Sequence, residues 1–237
     1  NNAGVRLWAT YYGGAENDRI FAVTVDNQNN IYATGLTNSQ ENIASPDSFK
    51  PTISKTAYGN SIDAFIVKFN PDGNRIWGTY YGGNSLDVFY NVEISSDQDL
   101  YLVGYSNSSE GIATSGTFKN VLSESPYDDA ILVKFTLNGK RLWGTYFGDK
   151  YDDHAFDVAI DNVGDVVISG GTGNLKGIAF NALHQSTMVG DYDNFLAKFN
   201  NSGNLIWSTY YGGDERESNI NCSVAIDNYN NIYLASR

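Results

Sequence analysis

One nine-residue phrase recurs four times and constrains what this 237-residue chain can fold into. RLWATYYGG at 6–14 returns as RIWGTYYGG at 75–83, RLWGTYFGD at 141–149 and LIWSTYYGG at 205–213. The four tryptophans, Trp8, Trp77, Trp143 and Trp207, are spaced by 69, 66 and 64 residues. Self-similarity at a fixed period is the mark of a repeat architecture, in which each copy is one supersecondary unit stacked on its neighbours.

Three further segments recur in fixed order between these phrases. An alternating run comes first: FAVTVDN at 21–27, YNVEISSD at 90–97, FDVAIDN at 156–162 and CSVAIDN at 222–228. After a short turn follow NIYATGLT at 30–37, DLYLVGYS at 99–106, DVVISGGT at 165–172 and NIYLASR at 231–237. Later come DAFIVKFN at 63–70, DAILVKFT at 129–136 and DNFLAKFN at 193–200, each leading through a Gly-bearing turn into the Trp phrase. Period-two alternation of β-branched and aromatic residues between Asn/Asp/Gly turns predicts strands joined as hairpins. Each unit is thus four strands, A to D. No stretch carries a sustained helical stripe. Single helical turns are expected at most within SPDSFKPTI, TSGTFKNVL and FNALHQSTM, between strands B and C.

Both faces of each sheet carry bulk: Trp77, Thr79 and Tyr81 alternate with Ile76, Gly78 and Tyr80. A sheet apolar on both sides must bury both, so the units have to lie face to face, and radial stacking of four-stranded sheets makes a β-propeller. A β-solenoid is the rival, but its coils are shorter and lack repeated hairpin turns. The expected fold is all-β, a propeller of four-stranded antiparallel blades in one domain over 1–237. Complete units span 20–83, 87–149 and 153–213, with a partial blade from 6–14 and 220–237. These end pieces either pair and close a four-bladed ring, or belong to a larger ring. The stop at Arg237 in mid-pattern favours the larger ring.

The ordered segments resemble the SBBP family of bacterial β-propeller repeats. The matching features are the AVDNxGNIYVTG-like hairpin, the DAFxVKFN strand, the Gly turn and the closing LWGTYYGG. Ser236, where the other copies have Gly35, Gly104 and Gly170, and Asp149, in place of the second closing glycine, depart from the pattern. The resemblance implies a secreted or cell-surface protein of a bacterium and transfers no catalytic residues.

Composition excludes some partners. The net charge is −12, which repels phosphate and anionic membranes and argues against nucleic acid. No apolar run reaches membrane-spanning length, so direct insertion is not expected. Cys222 is the sole cysteine, so no intrachain disulfide can form, and its place in an alternating strand reads as a small buried residue.

Candidate chemistry is sparse. The turns Asp26–Asn30, Asp97–Asp99, Asp161–Asp165 and Asp227–Asn231 offer oxygens to calcium but are shorter than a calcium loop, so side-chain-capped hairpin turns are the expected reading. Asp63, Asp129 and Asp193, one per blade, suggest a repeated structural hydrogen bond to a neighbouring turn. The acidic cluster Tyr151-Asp152-Asp153-His154 reads as a surface loop between blades. His154 and His184 lie in different segment types and do not make a metal pair. The pairs Tyr11-Tyr12, Tyr80-Tyr81, Tyr146-Phe147 and Tyr210-Tyr211 read as inter-blade packing before a sugar-stacking surface. No catalytic, cofactor-binding or metal residue is assigned.

The divergent B-to-C connections, 38–62, 107–128 and 173–192, are expected to be loops that carry recognition and can be shortened without loss of fold. The functional expectation is a non-catalytic scaffold, secreted or on the cell surface, that binds a protein or glycan. The alternatives are a polysaccharide hydrolase or lyase and a docking or plug subunit of an envelope secretion complex.

Overall fold

The computed structural model describes residues 3–56, 59–123, 126–182, 184–214 and 222–236, and among them the regular elements are strands. Blade 1 is built from β1 (Asp18–Val25), β2 (Ile31–Thr37), β5 (Asp63–Phe69) and β6 (Arg75–Tyr81). A small hairpin, β3 (Lys55–Thr56) and β4 (Gly59–Asn60), sits in the connection between β2 and β5. Blade 2 is β7 (Asp87–Ile94), β8 (Asp99–Ser106), β9 (Asp129–Thr136) and β10 (Arg141–Phe147). Blade 3 is β11 (Asp153–Ile160), β12 (Val166–Thr172), β13 (Asp193–Phe199) and β14 (Leu205–Tyr211). Each is an antiparallel meander of four strands, and β15 (Ser223–Ile226) with β16 (Ile232–Ala235) forms a separate hairpin. Of the expected partial blade, 220–221 and 237 lie outside the described residues.

Local chemistry sets the turns. Asp26 Oδ1 accepts the N–H groups of Gln28 and Asn30, both at 2.9 Å, while Asn29 takes the left-handed conformation at φ 62°. Asn70 Oδ1 closes the β5–β6 turn in the same way through Asp72 and Asn74. The innermost strand of every blade carries a bulge, at Phe21, Tyr90 and Phe156. Opposite the residue before each bulge stand Gly35, Gly104 and Gly170. A Cβ at Gly104 would lie 1.9 Å from the Val88 carbonyl oxygen, so the close approach requires glycine there. Ser236 is tolerated at the matching position beyond β16, where its hydroxyl accepts a hydrogen bond from Asn194 Nδ2 at 2.6 Å.

The first strands of successive sheets, β1, β7, β11 and β15, pack against one another, so they line the axis and the last strands face outward. The chain is a β-propeller array. Its apolar cores lie between blades: Tyr81, Phe89, Leu102 and Phe135 fill the space between blades 1 and 2, and Trp143, Phe147, Phe195 and Phe199 that between blades 2 and 3. The tryptophans clasp the next blade. Trp77 Nε1 donates to the Leu137 carbonyl at 3.2 Å, and Trp143 Nε1 to the Asn201 carbonyl at 3.0 Å, each in the turn before the following outer strand. The rings lie on Gly139 and Gly203, both at positive φ, where an added Cβ would stand 3.3 and 3.0 Å from the indole.

One expected strand does not form. Segment 6–14 joins no ladder. It still holds the place of an outer strand against blade 1, because Trp8 Nε1 donates to the Pro71 carbonyl at 2.8 Å and Tyr12 to the Ile43 carbonyl at 2.6 Å. Among the described residues it does not pair with β16, so no four-bladed ring is closed by that route. The three segments named as the only candidates for a helical turn form no helix among the described residues; Ser48 N–H closes a single turn on the Ser45 carbonyl at 3.1 Å, and the backbone beyond bonds to the outer strand, as the Lys50 carbonyl does in accepting the Tyr80 N–H at 3.1 Å.

Gly104→Ala is expected to cost about 3 kcal/mol or more, against about 1 kcal/mol for Gly116→Ala. Gly116 has φ 89° but nothing within 4 Å of where a methyl group would stand, so its substitution costs only the backbone handedness. Urea denaturation of both variants checks the contrast.

Candidate functional site

A carboxylate opens the first strand of each blade, buried at Asp87 and Asp153 and half-buried at Asp18. Asp18, Asp87 and Asp153 accept the main-chain N–H of Gly14, Gly83 and Asp149 at 2.8, 2.8 and 2.9 Å, tying each blade to the end of the preceding outer strand. The hydroxyls of Thr37 and Ser106 donate to Asp18 and Asp87. Ser39, Ser108 and Asn174 donate to the same Oδ2 that accepts the main-chain N–H, at 3.0, 2.8 and 2.8 Å. Asp149 can replace glycine here because the contact uses its backbone, and Gly177 leaves room for its side chain. Burial pushes Asp87 up to about 7 and Asp153 up to about 8, against the pull of these donors.

Asp63, Asp129 and Asp193 sit beside them and anchor the connections. They accept N–H groups of Ser54, Ser123 and Val189, each at 3.0 Å, and side-chain bonds from Lys50 (2.7 Å), Lys119 (3.0 Å) and Gln185 (2.8 Å). Lys50 also donates to the Gly82 carbonyl at 2.6 Å, and Lys119 to the Gly148 carbonyl at 2.7 Å. These carboxylates are structural ties. Sequence reasoning finds this set but misses Asp18 and Asp87. Their signal is an aspartate four residues after the closing glycine phrase, repeated as Gly14/Asp18, Gly83/Asp87 and Asp149/Asp153. Asp153, expected in a surface loop, is instead fully buried at the start of β11, because it is the third member of that set.

An aromatic cluster lies where the bulges meet the axis. A bulge turns an unpaired side chain out of the ladder, and here the three bulged residues are aromatic and adjoin. Phe21 and Tyr90 have ring centroids 5.0 Å apart, and Tyr90 and Phe156 5.2 Å. Tyr105 packs on Tyr90 at 5.7 Å and lies over His154 at 4.1 Å with an interplanar angle of 31°. His154 Nε2 lies 3.1 Å from Asp128 Oδ2, and Asp152 Oδ1 accepts the Asp128 N–H at 3.1 Å. Tyr127 and Tyr151 meet edge to face just beyond. Phe21 is 40% exposed and Tyr151 42%. Cys222 holds the fourth bulge position and is buried, so the aromatic row ends there. Beneath the row, Asp157 joins three inner strands by accepting from Asn91 Nδ2 and the Val224 N–H.

Asp128 and Tyr127 belong to the second connection, which therefore rims this mouth. The connections are not free loops, contrary to expectation. Ile43, Ile53, Ile112, Leu122, Ile178 and Met188 are buried within them. Excising 107–128 would remove Ile112, Leu122 and Lys119 from the core and the Asp129 tie, so the fold would not survive it intact.

The remaining singled-out residues are structural or dispersed. In the Asp26 turn the carboxylate is filled by N–H and O–H donors, including Tyr32 hydroxyl at 3.0 Å, with the Lys68 ammonium 3.7 Å away. Asp161 is taken by Lys198 at 2.7 Å. Such donors and cations occupy the oxygens a calcium ion would need. In blades 1 and 2 the first tyrosine of the pair donates to its own blade's connection, Tyr80 to the Ser39 carbonyl and Tyr146 to the Ser108 carbonyl, whereas Tyr11 is fully exposed. The second reaches the next blade, Tyr81 to the Ile112 carbonyl at 2.6 Å. His184 packs on Tyr211 and shares no partner with His154.

Comparison with known proteins places the array. Residues 7–43 match the SBBP family model, described as a β-propeller repeat. Over that stretch the chain is similar to SBBP-type propeller repeats. The matched stretch runs from the Trp8 phrase through β1 and β2 into the first connection, so the sequence unit straddles two structural blades. The chain is also 30% identical over 146 residues to an uncharacterized WD repeat-containing protein, L264, of Acanthamoeba polyphaga mimivirus. That alignment covers 59% of this chain and 10% of the relative.

The buried junction acids give stability a defined pH dependence. Asp87 and Asp153 hold protons more tightly when folded than when unfolded. Their contribution is full below the unfolded carboxyl pKa of about 4 and is lost as pH rises through about 7 and about 8. The urea midpoint should therefore fall between about pH 5 and about pH 9, and Asp87→Asn with Asp153→Asn should flatten that fall.

Proposed function

We propose that this chain is a non-catalytic interaction scaffold that is secreted or displayed on the cell surface and binds a protein or glycan partner across the axial mouth. The observation that carries the reading is the continuous aromatic row Phe21, Tyr90 and Phe156, extended by Tyr105 and His154. Aromatic faces that are part exposed offer large contact area with little side-chain entropy to lose, and they are the groups on which interface energy concentrates. The rigid blades below hold the row in place, and the connection through Tyr127 and Asp128 supplies a polar rim. WD repeats also build propellers, so the similarity to a WD repeat-containing protein supports a repeat-based scaffold. A net charge of −12 argues against nucleic acid as the partner. On this reading no cofactor takes part.

A catalytic reading is second, favoured by the His154–Asp128 contact beside Asp152, which could serve acid–base cleavage of a polysaccharide. A glycan and peptide array read together with a hydrolysis screen separates the two. Tyr105→Ala and His154→Ala should each weaken array binding at least about tenfold, as loss of a central contact does. Tyr229→Ala, exposed far along the chain in the last turn, should leave it unchanged. Turnover of an array glycan that His154→Ala abolishes would instead establish the enzyme.

A further inference from the structure

The junction between blades 1 and 2 and that between blades 2 and 3 are built from matching segments but close differently. SPDSFK at 45–50 lines the outer side of the first, and TSGTFK at 114–119 that of the second. At the second junction the Phe118 N–H donates to the Gly203 carbonyl at 2.9 Å, and Gly203 and Trp143 are buried. At the first, Phe49 makes no such bond to Gly139 among the described residues, and Gly139 and Trp77 stay half-buried. The gap is a cavity of about 280 Å³ between segment 45–48, strand β6 and the β9–β10 turn.

The open cavity also has a different lining. Trp77 and Ile76 give it an apolar wall, and Asp47, Ser48 and Asn138 give it polar groups. At the closed junction Gly116, Thr117 and Ser202 stand in the places of those three. The Thr117 hydroxyl is satisfied there, donating to the Thr114 carbonyl at 2.8 Å with the Gly144 carbonyl 3.2 Å away. The Ser48 Oγ is buried and has no partner among the described residues. A buried hydroxyl without a partner costs free energy, and a group entering the cavity that pairs with it recovers that cost.

We propose that this cavity is a subsite for one neutral pyranose ring. Such a ring has an apolar C–H face, which suits the Trp77–Ile76 wall, and a rim of hydroxyls that both donate and accept. The Asp47 carboxylate accepts, while the Asn138 amide and Ser48 hydroxyl do both. The volume is near the lower end of ligand sites, about 300–1,000 Å³, so it takes a single ring. Asp47 and the net charge of −12 disfavour an acidic sugar. The subsite lies on the outer rim between two complete blades and does not depend on how the axial mouth is read.

The test titrates the whole chain with the methyl α- and β-glycosides of glucose, galactose, mannose and N-acetylglucosamine, followed by NMR of the indole and imidazole groups. At least one glycoside should shift the Trp77 indole resonance saturably and leave Trp143 unmoved. Asp47→Ala should weaken that binding about tenfold and Ser48→Ala about fivefold, the scale of a charged and a neutral hydrogen bond. Ser48→Ala should not lower the urea midpoint, since its hydroxyl holds nothing in the fold; a lowered midpoint with unchanged binding would make Ser48 structural and overturn the proposal. Failure of every glycoside to shift Trp77 would overturn it too. So would a shift given by tetramethylammonium alone, which would make the cavity a cation site. A glycoside that moves the His154 signals and spares Trp77 would refute this subsite while supporting the axial mouth.

Discussion

Two-sided burial is the constraint on which the rest of this molecule depends. A four-stranded sheet with Tyr81 and Phe89 at one junction and Ile43 and Phe65 at the other has no solvent face to spare. Burying an aromatic side chain is worth roughly 1.5–3 kcal/mol, so the sheets gain most by lying on one another. The contact is then keyed at its outer end. Leu137 offers its carbonyl to the Trp77 indole, and the Lys68 ammonium and Tyr32 hydroxyl of the same preceding blade approach it at 3.5 and 3.4 Å. At the next junction Asn201 receives Trp143, Tyr101 and Lys134 together. At the inner end the buried aspartates Asp87 and Asp153 tie each new blade to the strand before it. Packing supplies the driving force; these polar ties set the stagger and angle between blades.

The same logic explains why an aromatic surface forms where it does. Inner strands crowd near the axis, and a bulge in each turns one residue out of the ladder. In the inner strands of all three blades that residue is aromatic, and neighbouring rings touch. The mouth is thus a by-product of blade geometry that sequence can decorate. Its rim is held as firmly as the blades, since the connection bearing Asp128 is pinned through Lys119 to Asp129 and Gly148.

Much of the fold is legible because it is written several times over. The strands, their order, the Asx-capped turns and the face-to-face stacking all follow from the Trp phrase and its companions. Less of the candidate site can be read. The bulges shift the pairing by one residue, which alternation alone does not announce, so Phe21, Tyr90 and Phe156 look like ordinary strand residues. The connections diverge in sequence yet keep buried anchors such as Ile43, Ile112 and Ile178 at matched places, so divergence there does not mean freedom. Read along the chain, Asp153 belongs with its acidic neighbours, whereas its true company is Asp18 and Asp87 in the other blades. Comparison across copies holds the answer that comparison along the chain does not.

The claim that blades are clasped in series is tested most directly by exchange of the indole N–H protons. Trp77 and Trp143 each donate to a carbonyl of the following blade, whereas Trp207 has no such partner among the described residues. Nitrogen-edited NMR of the indole groups should find slow exchange for Trp77 and Trp143 and fast exchange for Trp207. Equal and rapid exchange at all three would contradict the clasp, and with it the account of how the blades are joined.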